Sequence, residues 1–141
     1  MLTLSLVTPG KKILTDVGIT DAFIPTAGGE VNILIGHAPL MAVLDIGILR
    51  YCLTGETQYK HVVISWGYLE VSKDRITVLA ETAEPSETID LARAEEAKKK
   101  AEKALVGGDL EQHQFRKHQL KLERAMIRLQ AAEKQTYETT H

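Results

Sequence analysis

The sequence predicts an all-β N-terminal sandwich followed by a C-terminal antiparallel α-helical hairpin. Before Pro85, apolar residues alternate with polar ones or form short runs between glycines, the pattern of many short strands. After Pro85, Ala, Glu, Lys, Arg, Leu and Gln dominate, and these residues favour helices. Residues 1–85 are therefore the predicted β-sandwich domain, and residues 86–141 the predicted two-helix domain.

The first predicted strand shows a regular alternation of apolar and polar residues. Leu2, Leu4 and Leu6 alternate with polar residues, which predicts a half-buried strand. Further strands are predicted at residues 59–65, 68–71 and 75–80. The first two of these are expected to turn back on each other at Trp66-Gly67. Trp66 is the only tryptophan, and it is expected to cover the core, with a place on a partner surface as the alternative.

Residues 25–50 predict two strands joined by a polar loop. Ile33, Leu34 and Ile35 form an apolar run, which predicts a buried strand over residues 31–35. Glycines precede this run, and the turn sequence of residues 36–39 follows it.

Two helices are predicted, over residues 87–106 and 110–135. Ser86 is a suitable N-cap for the first helix, and Asp109 with Gln112 resembles a capping box for the second. The break at Gly107-Gly108 is short, so the helices should fold back on each other.

The first helix offers mostly alanines to its partner, at Ala94, Ala97, Ala101 and Ala104. Alanine permits close approach but removes little apolar area from water. We therefore expect a hairpin that can leave its docking site without unfolding the sandwich.

The amino-acid composition excludes several classes of function. The chain is 44% hydrophobic and 26% charged, as in globular proteins. A net charge of −2 with 5% aromatic residues argues against nucleic acid as a partner. Cys52 is the only cysteine and is expected to be buried and inert, in a reducing compartment. The chain start lacks a signal-peptide pattern, and no apolar run approaches the ~20 residues that span a bilayer. No catalytic constellation or metal-ligand spacing is evident, and no cofactor is required.

A charged cluster gives the strongest site signal. Asp90 and Arg93 lie three residues apart at the start of the first helix, where a carboxylate also suits the helix dipole. The simpler interpretation is that Asp90 stabilises this start and pairs with Arg93. The second interpretation adds a basic stripe on the second helix, formed by Lys117, Lys121, Arg124 and Arg128. If the hairpin brings these groups together, the cations could bind phosphate and the carboxylate a ribose or amino group.

Glu30 and His37 flank the strand of residues 31–35 and give a second signal. No third partner nearby in sequence completes a triad, and the five histidines lack metal-ligand spacing. One interpretation is turn chemistry, after Gly28-Gly29 and before Ala38-Pro39. The other is a polar contact with a partner.

Several segments together resemble one family. They are GE-x-x-IL-x-GH-x-PL followed by G-x-LR, EVSKDRITVLAETAE, IDLARA and RAMIRLQ. They occur in the order and spacing of the epsilon subunit of the bacterial F-type ATP synthase. The resemblance implies that Glu30 and His37 contact the membrane rotor ring. It also implies a nucleotide-binding set, formed by Glu84, Ile89, Asp90, Arg93, Lys100, Arg124 and Arg128. Lys100 stands where the family's binders can have arginine.

The resemblance implies a non-catalytic subunit of the central stalk. Its partners would be the gamma subunit, the membrane c-ring and, through the helices, the alpha and beta subunits. It would couple the rotor to proton-driven ATP synthesis at the cytoplasmic face of the bacterial inner membrane, as a peripheral protein, and its mobile helices would inhibit ATP hydrolysis. ATP would be a regulatory ligand that stays intact. The alternatives are a free-standing ATP-sensing module, a small enzyme using Glu30 and His37, and an adaptor with an immobile tail.

Overall fold

The computed structural model describes residues 1–107 and 110–140. Seven strands form the first domain, and a short 3₁₀ turn over Ser86–Thr88 leads into two helices. The strands are β1 (Leu2–Thr8), β2 (Lys11–Thr26), β3 (Gly29–Leu34), β4 (Leu40–Leu44), β5 (Gly47–Leu53), β6 (Tyr59–Ser72) and β7 (Arg75–Pro85). The helices are α1 (Leu91–Val106) and α2 (Gln112–Thr140). The predicted architecture of a β-sandwich followed by a helical hairpin is confirmed.

The long strands β2, β6 and β7 run through both layers of the sandwich. In one layer, β1 pairs with the first part of β2 and, in parallel, with β7, while the second part of β6 pairs with β4 and β7. In the other layer, the strand order is β3, the second part of β2, β5, the first part of β6 and the last part of β7. The inward side chains fill the space between the layers. The largest that are fully buried include Leu4, Leu6, Ile24, Ile33, Leu44, Leu49, Ile64, Leu69 and Ile76.

The predicted turn at Trp66-Gly67 is wrong, because β6 continues through it. Both residues have positive φ, 28° at Trp66 and 144° at Gly67, and the chain bends there without reversing. Before the bend, Val62 and Ile64 point into the core, and after it Leu69 and Val71 do. The bend therefore shifts the in-and-out alternation by one residue, which in sequence looks like the boundary between two strands.

The predicted burial of the run Ile33-Leu34-Ile35 is also wrong in part. Ile33 is fully buried, but Leu34 is 50% and Ile35 61% exposed. In the described sheet β3 pairs with β2 alone, so it is an edge strand with one face toward solvent. Only alternate residues of such a strand can enter the core.

The first helix ends at Val106 as predicted, but its start and both ends of the second helix differ from the prediction. The first helix begins at Leu91, and its N-cap is Asp90, whereas Ser86 lies in the 3₁₀ turn. Ser86 was a plausible cap by residue type, but Asp90 has the extended backbone and the accepting side chain that a cap needs. The second helix runs to Thr140, beyond the predicted end at 135. Gly108 of the predicted break and Asp109 of the predicted capping box lie outside the described residues.

The hairpin rests on the outer face of β5 and β6 through a small apolar cluster. Its centre is formed by Val63, Ile89, Ala94, Ala131 and Ala132, with Ile48, Ile127 and Leu129 packed around them. Three of the five central residues are alanines. This cluster is separate from the core between the two layers, which consists of strand residues.

Candidate functional site

Asp90 and Arg93 are joined by a backbone contact at the start of α1. The Asp90 carboxylate accepts a hydrogen bond from the Arg93 backbone N–H at 3.2 Å. No side-chain ion pair joins the two in the part of the chain that the structure describes. The structure thus shows Asp90 as the cap of the helix start, but not the expected pairing of its side chain with that of Arg93.

Ile89 has a packing role in the structure. Its side chain is 9% exposed and lies in the cluster that holds the hairpin against the sandwich. A substitution here would alter docking of the hairpin as well as any nearby ligand contact.

Glu84 and Arg128 form a two-pronged ion pair between β7 and α2. Arg128 Nε donates to Glu84 Oε2 at 2.8 Å, and Nη2 donates to Oε1 at 2.9 Å. The Arg128 side chain is 23% exposed and the Glu84 side chain is 29% exposed. Parallel hydrogen bonds from a planar guanidinium to a carboxylate are strong and fix the orientation of both groups.

Four cations line a groove between the helices, the basic groove, formed by Lys100, Lys121, Arg124 and Arg128. Alanines from both helices and His118 complete its wall. The groove holds about 480 Å³, within the range of ligand pockets. Arg128 pairs with Glu84, whereas Lys100, Lys121 and Arg124 make no ion pair with another described side chain. The groove can therefore accept an anion with several negative charges.

The structure divides the predicted nucleotide set in two. Lys100, Arg124 and Arg128 meet in the basic groove, and Glu84 joins them through Arg128. Ile89, Asp90 and Arg93 do not line the groove. Lys100 follows Arg93 by seven residues, which is about 10 Å along the helix. Lys121 belongs to the groove and was recognised in sequence only as part of the basic stripe.

Glu30 and His37 lie at opposite ends of β3. Glu30 is the second residue of the strand, and its Oε1 lies 3.5 Å from Nη2 of Arg50. His37 follows the strand in the loop toward β4, and its Nδ1 lies 2.6 Å from the Ala38 carbonyl oxygen. The two residues therefore do not form one site.

Arg50 was missed as a functional candidate, although the motif G-x-LR contains it. Its guanidinium lies over the Phe23 ring, 4.1 Å from the centroid, and 5.8 Å from the Tyr59 centroid. The Tyr59 O–H donates to the Asp21 carboxylate, whose two oxygens lie 2.9 and 2.8 Å from the phenol oxygen. The hydrogen bond to Asp21 and burial raise the pKa of the Tyr59 phenol to about 12. The cross-strand order that assembles this cluster could not be read from sequence.

An exposed apolar surface covers the outer side of β4, β6 and β7. Val43, Tyr68 and Leu79 face each other in register, at 54%, 64% and 50% exposure. Met41 and Trp66 extend this apolar surface, at 79% and 41% exposure. The expectation that Trp66 covers the core is therefore wrong, because the positive φ at the β6 bend directs the residue outward. It lines a groove of about 380 Å³ with Pro9, Tyr68 and Leu79 among others.

Neither metal binding nor membrane spanning finds support among the described residues. No group of three or more His, Cys, Asp or Glu side chains is arranged to hold a metal ion within residues 1–107 and 110–133. The described helices include no segment with the length and apolarity to cross a bilayer.

Comparison with known proteins matches both domains. Residues 1–86 match the family of the ATP synthase delta/epsilon chain β-sandwich domain, and residues 87–133 match that of the delta/epsilon chain long α-helix domain. The ATP synthase epsilon chain of Geobacter metallireducens is 44% identical over 135 residues, which cover 96% of each chain. That of Symbiobacterium thermophilum is 42% identical over 131 residues, covering 93% of this chain and 92% of the relative.

A solved structure supports the fold. A chain of the Euglena gracilis mitochondrial ATP synthase, described with its OSCP, F1 and c-ring parts, superposes with a TM-score of 0.69 at 23% identity. The match covers 99% of this chain and 81% of the other. From both domain matches and the full-length relatives, the chain belongs to the ATP synthase epsilon chain family and is a non-catalytic subunit of an F-type ATP synthase.

Proposed function

We propose that this epsilon subunit links the gamma subunit to the membrane c-ring in proton-driven ATP synthesis, and that its hairpin restrains ATP hydrolysis. The observation that carries the proposal is the thin attachment of the hairpin to the sandwich. It includes the alanine-rich cluster around Ile89 and an ion pair between the domains, Glu84 with Arg128. Such an attachment can break while the sandwich core stays intact.

The apolar surface of the sandwich supports gamma as a partner. Met41, Val43, Tyr68 and Leu79 are each at least half exposed, and Trp66 lies beside them. Contiguous exposed apolar groups rimmed by polar residues are typical of protein interaction sites. Aromatic residues are also enriched at the centres of interfaces. The gamma subunit is the occupant proposed for this surface.

The turn at Glu30 supports the c-ring as a second partner. Glu30 lies just after the β2–β3 turn, and the chain around the end of β4 runs beside this turn. The Ala27 N–H donates to the Val43 carbonyl, and the Asp45 N–H donates to the Pro25 carbonyl. These backbone bonds fix the edge of the sandwich that carries Glu30. A carboxylate that is 52% exposed on a fixed edge can bind polar loops of the ring. His37, at the other end of β3, would need a separate contact.

The basic groove supports both the inhibitory contact and a regulatory role for ATP. Once the hairpin leaves the sandwich, its cations can pair with acidic residues of the alpha and beta subunits. Exposed ion pairs are worth only ~0.2–1 kcal/mol each, so several must act together. ATP bound by Lys100, Arg124 and Arg128 would occupy the same cations, with Asp90 and Arg93 as further contacts. It would favour the docked hairpin in proportion to its differential affinity for the two states.

The bacterial relatives support the proposed location. A subunit that contacts the c-ring would lie at the cytoplasmic face of the bacterial inner membrane as a peripheral protein. The alpha and beta subunits that the helices would reach are on the same side of the membrane in this proposal.

The test compares ATP hydrolysis by membranes assembled with different forms of the subunit. Removal of residues 87–141, or the full-length double substitution Lys121→Glu and Arg124→Glu, should raise the hydrolysis rate. Lys117→Glu is the matched control, because Lys117 lies on α2 but does not line the basic groove. Equal rates for all forms at low and high ATP would show that the hairpin is not inhibitory.

The basic groove also favours a second candidate role for the subunit, in which the hairpin senses ATP without restraining hydrolysis. That function predicts closure of the hairpin on ATP in the isolated chain, with no effect on hydrolysis in the assembled enzyme. Measurement of both quantities on the same variants separates the two functions.

A further inference from the structure

Arg50 is held over the Phe23 ring on the outer face of the sandwich. Its guanidinium lies 4.1 Å from the Phe23 ring centroid, a distance at which the ring face attracts a cation. The Tyr59 ring meets Phe23 edge-on, with centroids 5.8 Å apart and ring planes 61° apart. Tyr59 is fixed in turn by the hydrogen bond that its O–H donates to the Asp21 carboxylate. The Phe23 and Tyr59 rings, called the aromatic shelf below, therefore order the Arg50 side chain independently of any ion pair.

The register of three strands explains how Arg50 reaches Glu30. On the layer β3-β2-β5, Arg50 of β5 lies opposite Phe23 of β2, and Glu30 of β3 lies opposite Pro25 of β2. The arginine side chain crosses β2 over the Phe23 ring and ends 3.5 Å from Glu30 Oε1. In the described contacts Oε1 is the only Glu30 oxygen engaged, so Oε2 is available to a partner.

The shelf distinguishes this pair from an ordinary surface ion pair. Exposed pairs contribute little, partly because ordering two long side chains costs entropy. Here Phe23 and Tyr59 have already confined the guanidinium, so binding of Glu30 adds a small ordering cost. Groups ordered in advance lose less free energy when a partner binds.

We propose that Arg50 is a positioning residue for the rotor contact, and that it holds the Glu30 carboxylate with one oxygen directed to the c-ring loops. The inference rests on the proposed role of Glu30 and adds Arg50 and Phe23 to it. The chemistry that would use the free oxygen is a cationic or N–H group on a polar loop of the ring. Lysine at position 50 would keep the charge but lose the planar stacking on Phe23.

The experiment measures ATP-driven proton pumping per ATP hydrolysed, in membranes assembled with full-length variants. Arg50→Lys and Phe23→Leu should each lower this ratio, by up to about fivefold, the upper range for an exposed charge contact. Neither should lower it further in a Glu30→Gln background, because all three changes act through one carboxylate. Arg75→Lys is the matched control, since Arg75 is exposed on β7 and makes no contact with Glu30.

The outcomes separate the rotor contact of Glu30 from the positioning role of Arg50. A normal ratio for Glu30→Gln would overturn the rotor contact itself. A lowered ratio for Glu30→Gln with normal ratios for Arg50→Lys and Phe23→Leu would overturn only the positioning role. Effects of Arg50→Lys that add to those of Glu30→Gln would place Arg50 in another contact. The melting temperature of each isolated variant is measured alongside, and a Phe23→Leu protein that fails to fold leaves the decision to Arg50→Lys.

Discussion

Glu84 near the end of β7 and Arg128 in α2 meet through two parallel hydrogen bonds, although 44 residues separate them in sequence. The pair lies beside the apolar cluster that docks the hairpin, and Arg128 also lines the basic groove. One side chain thus takes part in both the attachment of the hairpin and the anion-binding groove. An anion that binds the groove must either share Arg128 with Glu84 or bind without contacting Arg128.

Glu84→Gln should loosen the docked hairpin. The change removes the charge of the carboxylate but keeps its size, and loss of this partly buried pair should cost on the order of 1 kcal/mol. The undocked population should rise roughly fivefold, measured as faster amide hydrogen exchange in α1 and α2. Glu95→Gln is the control, because Glu95 is exposed on α1. Exchange that is unchanged in both variants would mean that the apolar cluster alone holds the hairpin.

Arg124→Ala should weaken ATP binding to the isolated full-length protein. Loss of a charge-assisted hydrogen bond costs ~1.5–3 kcal/mol, or about tenfold to a hundredfold in affinity. Calorimetry measures the affinity, and Lys117→Ala serves as the control cation outside the groove. Absence of heat for the unaltered protein at millimolar ATP would contradict a regulatory ATP site and leave Asp90 as a helix cap.

Tyr59 should ionise only at high pH. Its hydrogen bond to Asp21 and burial raise the pKa of the phenol from the ordinary 10.0 to about 12, so the folded state retains the proton that the unfolded state loses first. This contribution to stability is complete below pH 10 and is lost between pH 10 and about 12. Ultraviolet titration should detect the Tyr59 phenolate near pH 12, and at a lower pH in Asp21→Asn, which lacks the carboxylate charge. Identical titration curves would show that the hydrogen bond does not form in solution.

Gly67→Ala should destabilise the sandwich strongly. Gly67 has φ +144°, and an added Cβ would lie 1.9 Å from the Leu79 carbonyl oxygen, which belongs to the paired backbone of β7. Strain and steric overlap together should cost about 2–4 kcal/mol and lower the melting temperature. Gly28→Ala is the control, since its Cβ would meet only the Thr26 hydroxyl, at 3.9 Å. Equal melting temperatures for the two variants would contradict a need for glycine at the bend.

Local patterns were sufficient to predict much of the fold. The alternation of Leu2, Leu4 and Leu6 gave a strand with those three residues buried, and the change in composition at Pro85 separated sheet from helix. Local patterns failed where backbone geometry changed the alternation, as at Trp66-Gly67. They also failed where an edge strand left part of an apolar run exposed, as at Leu34 and Ile35.

The sequence allowed the residue types of the site to be predicted, but not how these residues are arranged in space. The stripe on α2 follows from helical spacing, so Lys121, Arg124 and Arg128 were expected to share a face. Which cations meet Lys100 depends on how the helices pair, and the partner of Arg128 lies on a strand of the other domain. The approach of Arg50 to Phe23 and Glu30 depends on strand register, which is set by the whole sheet.

The continuity of β6 has a mechanical consequence. The part of the strand before the bend carries Val63 against the hairpin, and the part after it carries Tyr68 on the apolar surface. Backbone pairing with β7 extends along both parts, from Val62 to Ser72. A load applied along the strand would be shared by these hydrogen bonds at once, so the sandwich should turn as one stiff body. The hairpin contact lacks such a ladder and should peel away under a much smaller force.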